Sequence, residues 1–185
     1  GTLNVTGASV VTSPSALFVG NGANTGTINI TAGELRINAG PLYLGAGYNG
    51  NQSGACTGVL NISGTGSYTH NSSGGVKLTN AAGQTGTVNL LAGGTFSING
   101  SLINQGAGAG TFNFSGGTLR SLSNTPNYFA ATVNTVVNSG GAIIDTNGYN
   151  ATISSSLTAG TGSGGLTKRG AGYLSLRSEE RRGGK

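Results

Sequence analysis

Apolar and polar residues alternate along this chain in short bursts, and one burst recurs. It reads GTLNVTG from residue 1, GTINITA from 26, GVLNISG from 58, GTVNLLA from 86 and GTFNFSG from 110. Strict alternation over a few residues is the pattern of a strand with one buried face. Leu3/Val5, Ile28/Ile30, Leu60/Ile62, Val88/Leu90 and Phe112/Phe114 then point one way, and Asn4, Asn29, Asn61, Asn89 and Asn113 the other. Two further strand-like pieces follow each phrase, set off by Gly or Asn. They are ASVVTS and ALFVGNG, ELRINAG and PLYLGAG, GSYTHNS and GVKLTNAAG, GTFSING and SLINQGAG. Three short strands per repeat of some 25 residues describe one coil of a three-sided solenoid. A single coil cannot bury its own apolar side, but stacked coils can. The pattern therefore predicts an inward column of Leu3, Ile28, Leu60, Val88 and Phe112. It predicts an outward column of asparagines hydrogen-bonded along the axis, with coils about 4.8 Å apart.

Beyond residue 120 the phrase fades. SLSNTPNYFAA (121–131) reads as a loop, and TVNTVVNS, GAIIDTN, ATISSSL, GGLTK and GYLSL as five more strands. The expected architecture is all-β, a parallel β-helix of about six to seven coils over 1–176. A barrel or sandwich of short strands is the rival, but neither requires five copies of one phrase in one register. Length variation is expected at the turns, the longest being GAGYNGNQSGACTG (45–58).

Composition agrees with many tight turns between short strands. Glycine supplies 37 of 185 residues, and only 7% are charged. The formal charge of +5 misleads, because RSEERRGGK (177–185) holds four of the basic residues and two of the acids. The remaining cations, Arg36, Lys77, Arg120, Lys168 and Arg169, are mostly scattered. They form no basic stripe to follow a phosphate backbone, which argues against nucleic acid as a partner. The nonapeptide cannot continue a coil. The codons AGA-TCG-GAA-GAG-CGT-CGT would encode its first six residues and resemble a short-read sequencing adapter, so 177–185 is expected to be a disordered tail of translated adapter. Cys56 has no second cysteine for an intrachain disulfide and is expected to be a small, partly buried residue. No apolar run approaches a membrane span. GTLNVTG begins in mid-repeat, which suggests a piece of a longer protein.

The stretch GGAIIDTNGYNATISSSLTAGTGSGGLTKRGAGYLSL (140–176) resembles the autotransporter-associated β-strand repeat of bacterial surface and secreted proteins. Its core motif is matched by Gly164, Gly165, Leu166, Thr167, Lys168, Gly170, Gly172, Leu174 and Leu176, with Tyr173 where Thr is usual. The phrase-bearing coils over 1–120 resemble the glycine-rich passenger coils that accompany this repeat, here assigned to 132–176. The resemblance implies a right-handed β-helical passenger, exported to the bacterial cell surface or beyond. Its expected role is structural or adhesive.

Chemistry is sparse. Glu34, Asp145 and His70 are the only candidates for proton transfer within the repeats. The two acids fall several coils apart, too far for a glycosidase pair, and His70 reads as a loop residue. No catalytic, metal or cofactor site is expected. The alternative is a scaffold of a polysaccharide-active enzyme whose catalytic coils lie elsewhere. Aligned third strands place Phe18, Tyr43, Lys77 and Ile103 in one outward column, above Leu17/Val19 and Leu42/Leu44. That strip could contact surface glycans or host and neighbour-cell proteins, although a ladder that only ties coils together is the preferred reading. Rows such as Thr2-Asn4-Thr6 and Thr27-Asn29-Thr31 resemble ice-binding solenoids, but Val59 and Leu91 interrupt them. The open strands at both ends predict end-to-end self-stacking.

Overall fold

The computed structural model describes residues 1–47, 54–162 and 164–176. Among these there are strands, turns and no helix. The first side of the molecule is a seven-stranded sheet of β1 (Thr2–Val5), β4 (Thr25–Ile30), β7 (Thr57–Ile62), β10 (Thr85–Leu91), β13 (Ala109–Ser115), β15 (Asn134–Val137) and β18 (Leu157–Ala159). The second side has β2 (Val10–Ser13), β5 (Glu34–Ile37), β8 (Ser67–His70), β11 (Thr95–Ile98), β14 (Thr118–Ser121), β16 (Ala142–Asp145) and β19 (Leu166–Arg169). The third side begins with β3 (Leu17–Val19), β6 (Leu42–Leu44), β9 (Val76–Lys77) and β12 (Ile103–Asn104), and ends with β17 (Ala151–Ile153) paired to β20 (Leu174–Leu176). Neighbouring strands on each side pair in parallel and come from successive coils. The result is a β-solenoid of about seven turns.

Register follows the repeated phrase residue for residue. Leu3, Ile28, Leu60, Val88 and Phe112 lie directly over one another, as do the five asparagines. A slip of one residue would turn every apolar side chain outward, so burial fixes the alignment. The phrase glycine has a steric cause. A Cβ on Gly58 would collide with the backbone of Gly45 and Val19, where the third side leads into the first. Gly45 itself sits at φ 58, in the left-handed region that turns this corner.

The interior is a continuous apolar column that thickens into aromatics at mid-length. Tyr68, Phe96, Phe112, Phe114, Tyr128 and Phe129 are all fully buried. Phe112 meets Phe96, Phe114 and Phe129 with ring centroids 5.5, 4.9 and 5.1 Å apart.

Two expectations beyond residue 120 are corrected. The 121–131 segment is irregular, as a loop should be, yet it fills the third side of its coil. Phe129 bridges to Ile103, Thr125 bridges to Ala151, and Tyr128 and Phe129 lie in the core. Pro126 lacks the N–H that a regular ladder needs. Asn127 supplies hydrogen bonds instead, donating from Nδ2 to the Phe129 carbonyl at 2.6 Å and accepting from the Ser154 amide at 3.1 Å. ATISSSL is not one strand but two, β17 and β18, on different sides of the solenoid. The 177–185 tail and the centre of the 45–58 turn lie outside the described residues.

Candidate functional site

The third-side strip is assembled by in-register pairing of Phe18 with Tyr43 and Tyr43 with Lys77. Leu42 and Leu44 alternate with Tyr43 and are fully buried, so the ring is forced outward. The Phe18 and Tyr43 rings stack 4.6 Å apart and only 4° from parallel. Lys77 Nζ lies over the Tyr43 ring at 5.3 Å, near enough for a cation–π contact. One face of Tyr43 is therefore taken by Phe18, and the ammonium is spent on the same ring. Ile103 does not belong to this row. It pairs with Val76 and is fully buried, and Asn104 occupies the outward place beside Lys77. The strand pair is only two residues long, and sequence alignment alone set it one residue out of phase.

The asparagine column forms the hydrogen-bonded ladder its alignment predicts. Asn29 Nδ2 donates to Asn4 Oδ1 at 2.9 Å. Asn61 donates to Asn29, Asn89 to Asn61 and Asn113 to Asn89, each at 2.8 Å. A second, shorter row was not anticipated. Asn71 Nδ2 donates to Asn38 Oδ1 at 3.0 Å, and Asn99 Nδ2 to the Asn71 carbonyl at 3.1 Å. The signal was present, because each of these asparagines follows the second strand of its coil. The ladder face carries no charged residue on any of its strands. Val59 interrupts its threonine column between Thr27 and Thr87.

The carboxylates stand apart. Glu34 and Asp145 occupy the second side on β5 and β16, separated by β8, β11 and β14. Four strand spacings put them roughly 19 Å apart. Each faces an arginine: Arg36 Nη2 lies 2.6 Å from Glu34 Oε2, and Arg120 Nε 3.4 Å from Asp145 Oδ2. Partial burial pushes the Glu34 carboxyl up, but the Arg36 guanidinium and the Thr69 hydroxyl outweigh it and hold the group below its ordinary value.

His70 is not a loop residue. It ends β8 on the inward face, fully buried between Ile37 and Ile98 of the adjoining coils. Tyr68 OH and His70 Nδ1 are 2.8 Å apart, and Nε2 has no partner. Burial lowers the imidazole from its ordinary value to about 4 and drives the Tyr68 phenol well above its own. The alternation of SYTH matches ELRI and TFSI at the same place in neighbouring coils, which is how the sequence marked this histidine as interior. Cys56 is likewise buried, immediately before β7, with the Ala23 amide 3.4 Å from its sulfur.

The motif residues form the last described turn. Gly164 and Gly165 lead into β19, which carries Leu166, Thr167 and Lys168. Gly170 makes the corner at φ 78, and a Cβ on Gly172 would collide with the Tyr149 backbone. Leu174 and Leu176 lie on β20 over Ala151 and Ile153. Among the described residues no group of three His, Cys, Asp or Glu side chains is placed to hold a metal ion. Compared with family models, curated proteins and solved structures, the chain matches none of them.

Proposed function

We propose that this chain is a structural, adhesion-supporting segment of a bacterial secreted or cell-surface protein, a rod that carries a binding region away from the cell. The observation that supports this most is how its outward groups are used. Asparagine amides bond to asparagines one coil away, and the Phe18, Tyr43 and Lys77 row packs on itself. Side chains spent along the axis stiffen a rod; they do not converge on a reacting atom. The likeness of 140–176 to the autotransporter-associated repeat supplies the bacterial surface setting.

An antibody against residues 1–176 should label intact cells expressing the whole reading frame. In-frame deletion of the segment should reduce cell attachment and leave polysaccharide hydrolysis unchanged. Labelling only after permeabilisation would overturn the surface reading. Loss of hydrolysis with attachment intact would favour the enzyme-scaffold reading instead.

A further inference from the structure

The triplet Asn-x-Ser/Thr, the acceptor pattern for N-linked sugars, occurs at eight positions of this chain. One of them, Asn51, lies outside the described residues. The fold treats the others unequally. Asn29, Asn61 and Asn113 donate their Nδ2 groups along the ladder, and Asn4 stands in the same column inside the paired strand β1. Asn71 and Asn99 also donate, to Asn38 Oδ1 and to the Asn71 carbonyl. The Ser101 hydroxyl of the Asn99 triplet is buried and donates to the Ser72 carbonyl.

Asn150 is different. It is exposed in the turn between β16 and β17, with Thr152 half-buried two residues on in β17. Both of its neighbours along the axis belong to the described chain. Its backbone N–H donates to Asn124 Oδ1 at 2.9 Å in the preceding coil, and its own Oδ1 accepts from the Tyr173 N–H at 3.1 Å in the following one. Accepting a backbone N–H fixes which side of the amide is oxygen. Nδ2, on the other side, has no partner among the described residues. The oxygen carries the structural bond, so a substituent on the nitrogen costs the solenoid none of its hydrogen bonds. Tyr149 and Tyr173, 38% and 81% exposed, adjoin Asn150 along the chain and across the coil, and supply aromatic rings near the C–H face of an attached sugar.

We propose that Asn150 is the N-glycosylation acceptor that the folded chain presents. The donor is a sugar activated at C1 by a diphosphate, brought by a transferase specific for Asn-x-Ser/Thr. The bond from Nδ2 to C1 forms as the bond from C1 to the diphosphate oxygen breaks. The diphosphate carrier leaves with the electron pair, and the amide proton passes to a base of the transferase. In the cell this acceptor role rests on the secreted or cell-surface setting proposed above.

The test uses the purified, folded 185-residue chain and so does not depend on where the protein resides. One arm supplies a soluble hexosyltransferase with UDP-glucose, the other a membrane oligosaccharyltransferase with a polyprenyl-diphosphate oligosaccharide. Peptide mass mapping reads each triplet separately, and the arm that reacts identifies the carrier. Asn150 should be modified, with Asn29, Asn61 and Asn113 reacting at least about tenfold more slowly, because an amide locked in the ladder reacts only after local opening. The heat-unfolded chain should lose that selectivity. Thr152→Val should abolish modification at Asn150 and Thr152→Ser should keep it, with circular dichroism unchanged in both. Absence of sugar at Asn150 of the folded chain in both arms overturns the proposal, as does a ladder asparagine modified as fast as Asn150. Failure of antibody to label intact cells would remove the surface setting and leave the acceptor result standing.

Discussion

The coil of β10–β12 and the coil of β15–β17 solve the same packing problem with opposite choices at one column. In the first, Val88 points inward and Asn89 outward, where Asn89 joins the amide ladder on both sides. In the second, Thr135 points inward, fully buried, and Val136 takes the outward place that asparagine holds in earlier coils. The later coil also carries Ile144 in the column that Phe96 fills in the earlier one, and its inward places at Ala142 and Ala151 are small. Small inward residues are tolerated there because the intervening coil contributes Phe112, Phe114, Tyr128 and Phe129, whose rings occupy the space. Coil stacking is thus set by summed interior volume and strand register. The ladder adds to that and is not required for it.

This difference makes the aromatic cluster the joint between the two regions, and its loss should have the largest effect. Phe112→Ala should destabilise the chain by about 3–5 kcal/mol, the usual range for a buried phenylalanine, read from urea unfolding. Hydrogen exchange should rise most in β13, which carries the lost ring, and in β10 and β15 on either side of it. A loss under about 1 kcal/mol would mean the two regions are not coupled through these rings.

His70 marks the earlier coils as the acid-sensitive ones. Its folded value of about 4 lies below the ordinary 6.5 of an unfolded histidine. The unfolded chain therefore binds the proton first as pH falls, and stability present above about pH 6.5 is lost progressively down to about 4. The gap corresponds to roughly 3 kcal/mol. No charged side chain faces His70 from its own strand or from β5 and β11, which contribute Tyr68, Leu35, Ile37, Phe96 and Ile98 to the interior. The Glu34 carboxyl, held low by Arg36, adds its own loss only at more acid pH. The double change Tyr68→Phe with His70→Leu removes the titrating group and its partner together, and should flatten thermal stability between pH 6.5 and 4. An unchanged slope would place the acid sensitivity elsewhere.

What the sequence disclosed follows from the same physics. Where coils repeat a phrase, alternation and register are visible in the letters, and the inward and outward columns of the first side were legible to the residue. SYTH carries the same alternation at His70, but a lone histidine beside Asn and Ser also reads as a loop, and only the neighbouring coils decide between the two. The third side was less legible. β9 and β12 are two residues long, too short for alternation to fix phase, so the letters around Ile103 do not reveal that it faces inward. The 121–131 segment could not be read at all as core, since its two aromatics are adjacent and only tertiary packing brings Tyr128 and Phe129 inside. The Tyr128 hydroxyl pairs there with Ser121, seven residues back, a contact no local pattern announces.

The ladder offers the finest test of the comparison, because it can be cut in one region and extended in the other. Asn61 both donates to Asn29 and accepts from Asn89. Asn61→Val keeps β propensity and the outward position, so it isolates those two bonds; at roughly 0.5–1.5 kcal/mol net each, a cost of about 1–2 kcal/mol is expected. Val136→Asn makes the opposite change. Val136 pairs with Asn113, whose amide donates toward Asn89, so a new asparagine can donate to Asn113 in turn. Partial exposure and the weaker strand propensity of asparagine offset part of the gain, leaving about 0.5 kcal/mol of stabilisation by urea unfolding. If Asn61→Val were neutral while Val136→Asn destabilised the chain, the ladder would be decoration on a register fixed entirely from inside. If both move as expected, the ladder ends at Asn113 because Val136 stands where the next asparagine would extend it.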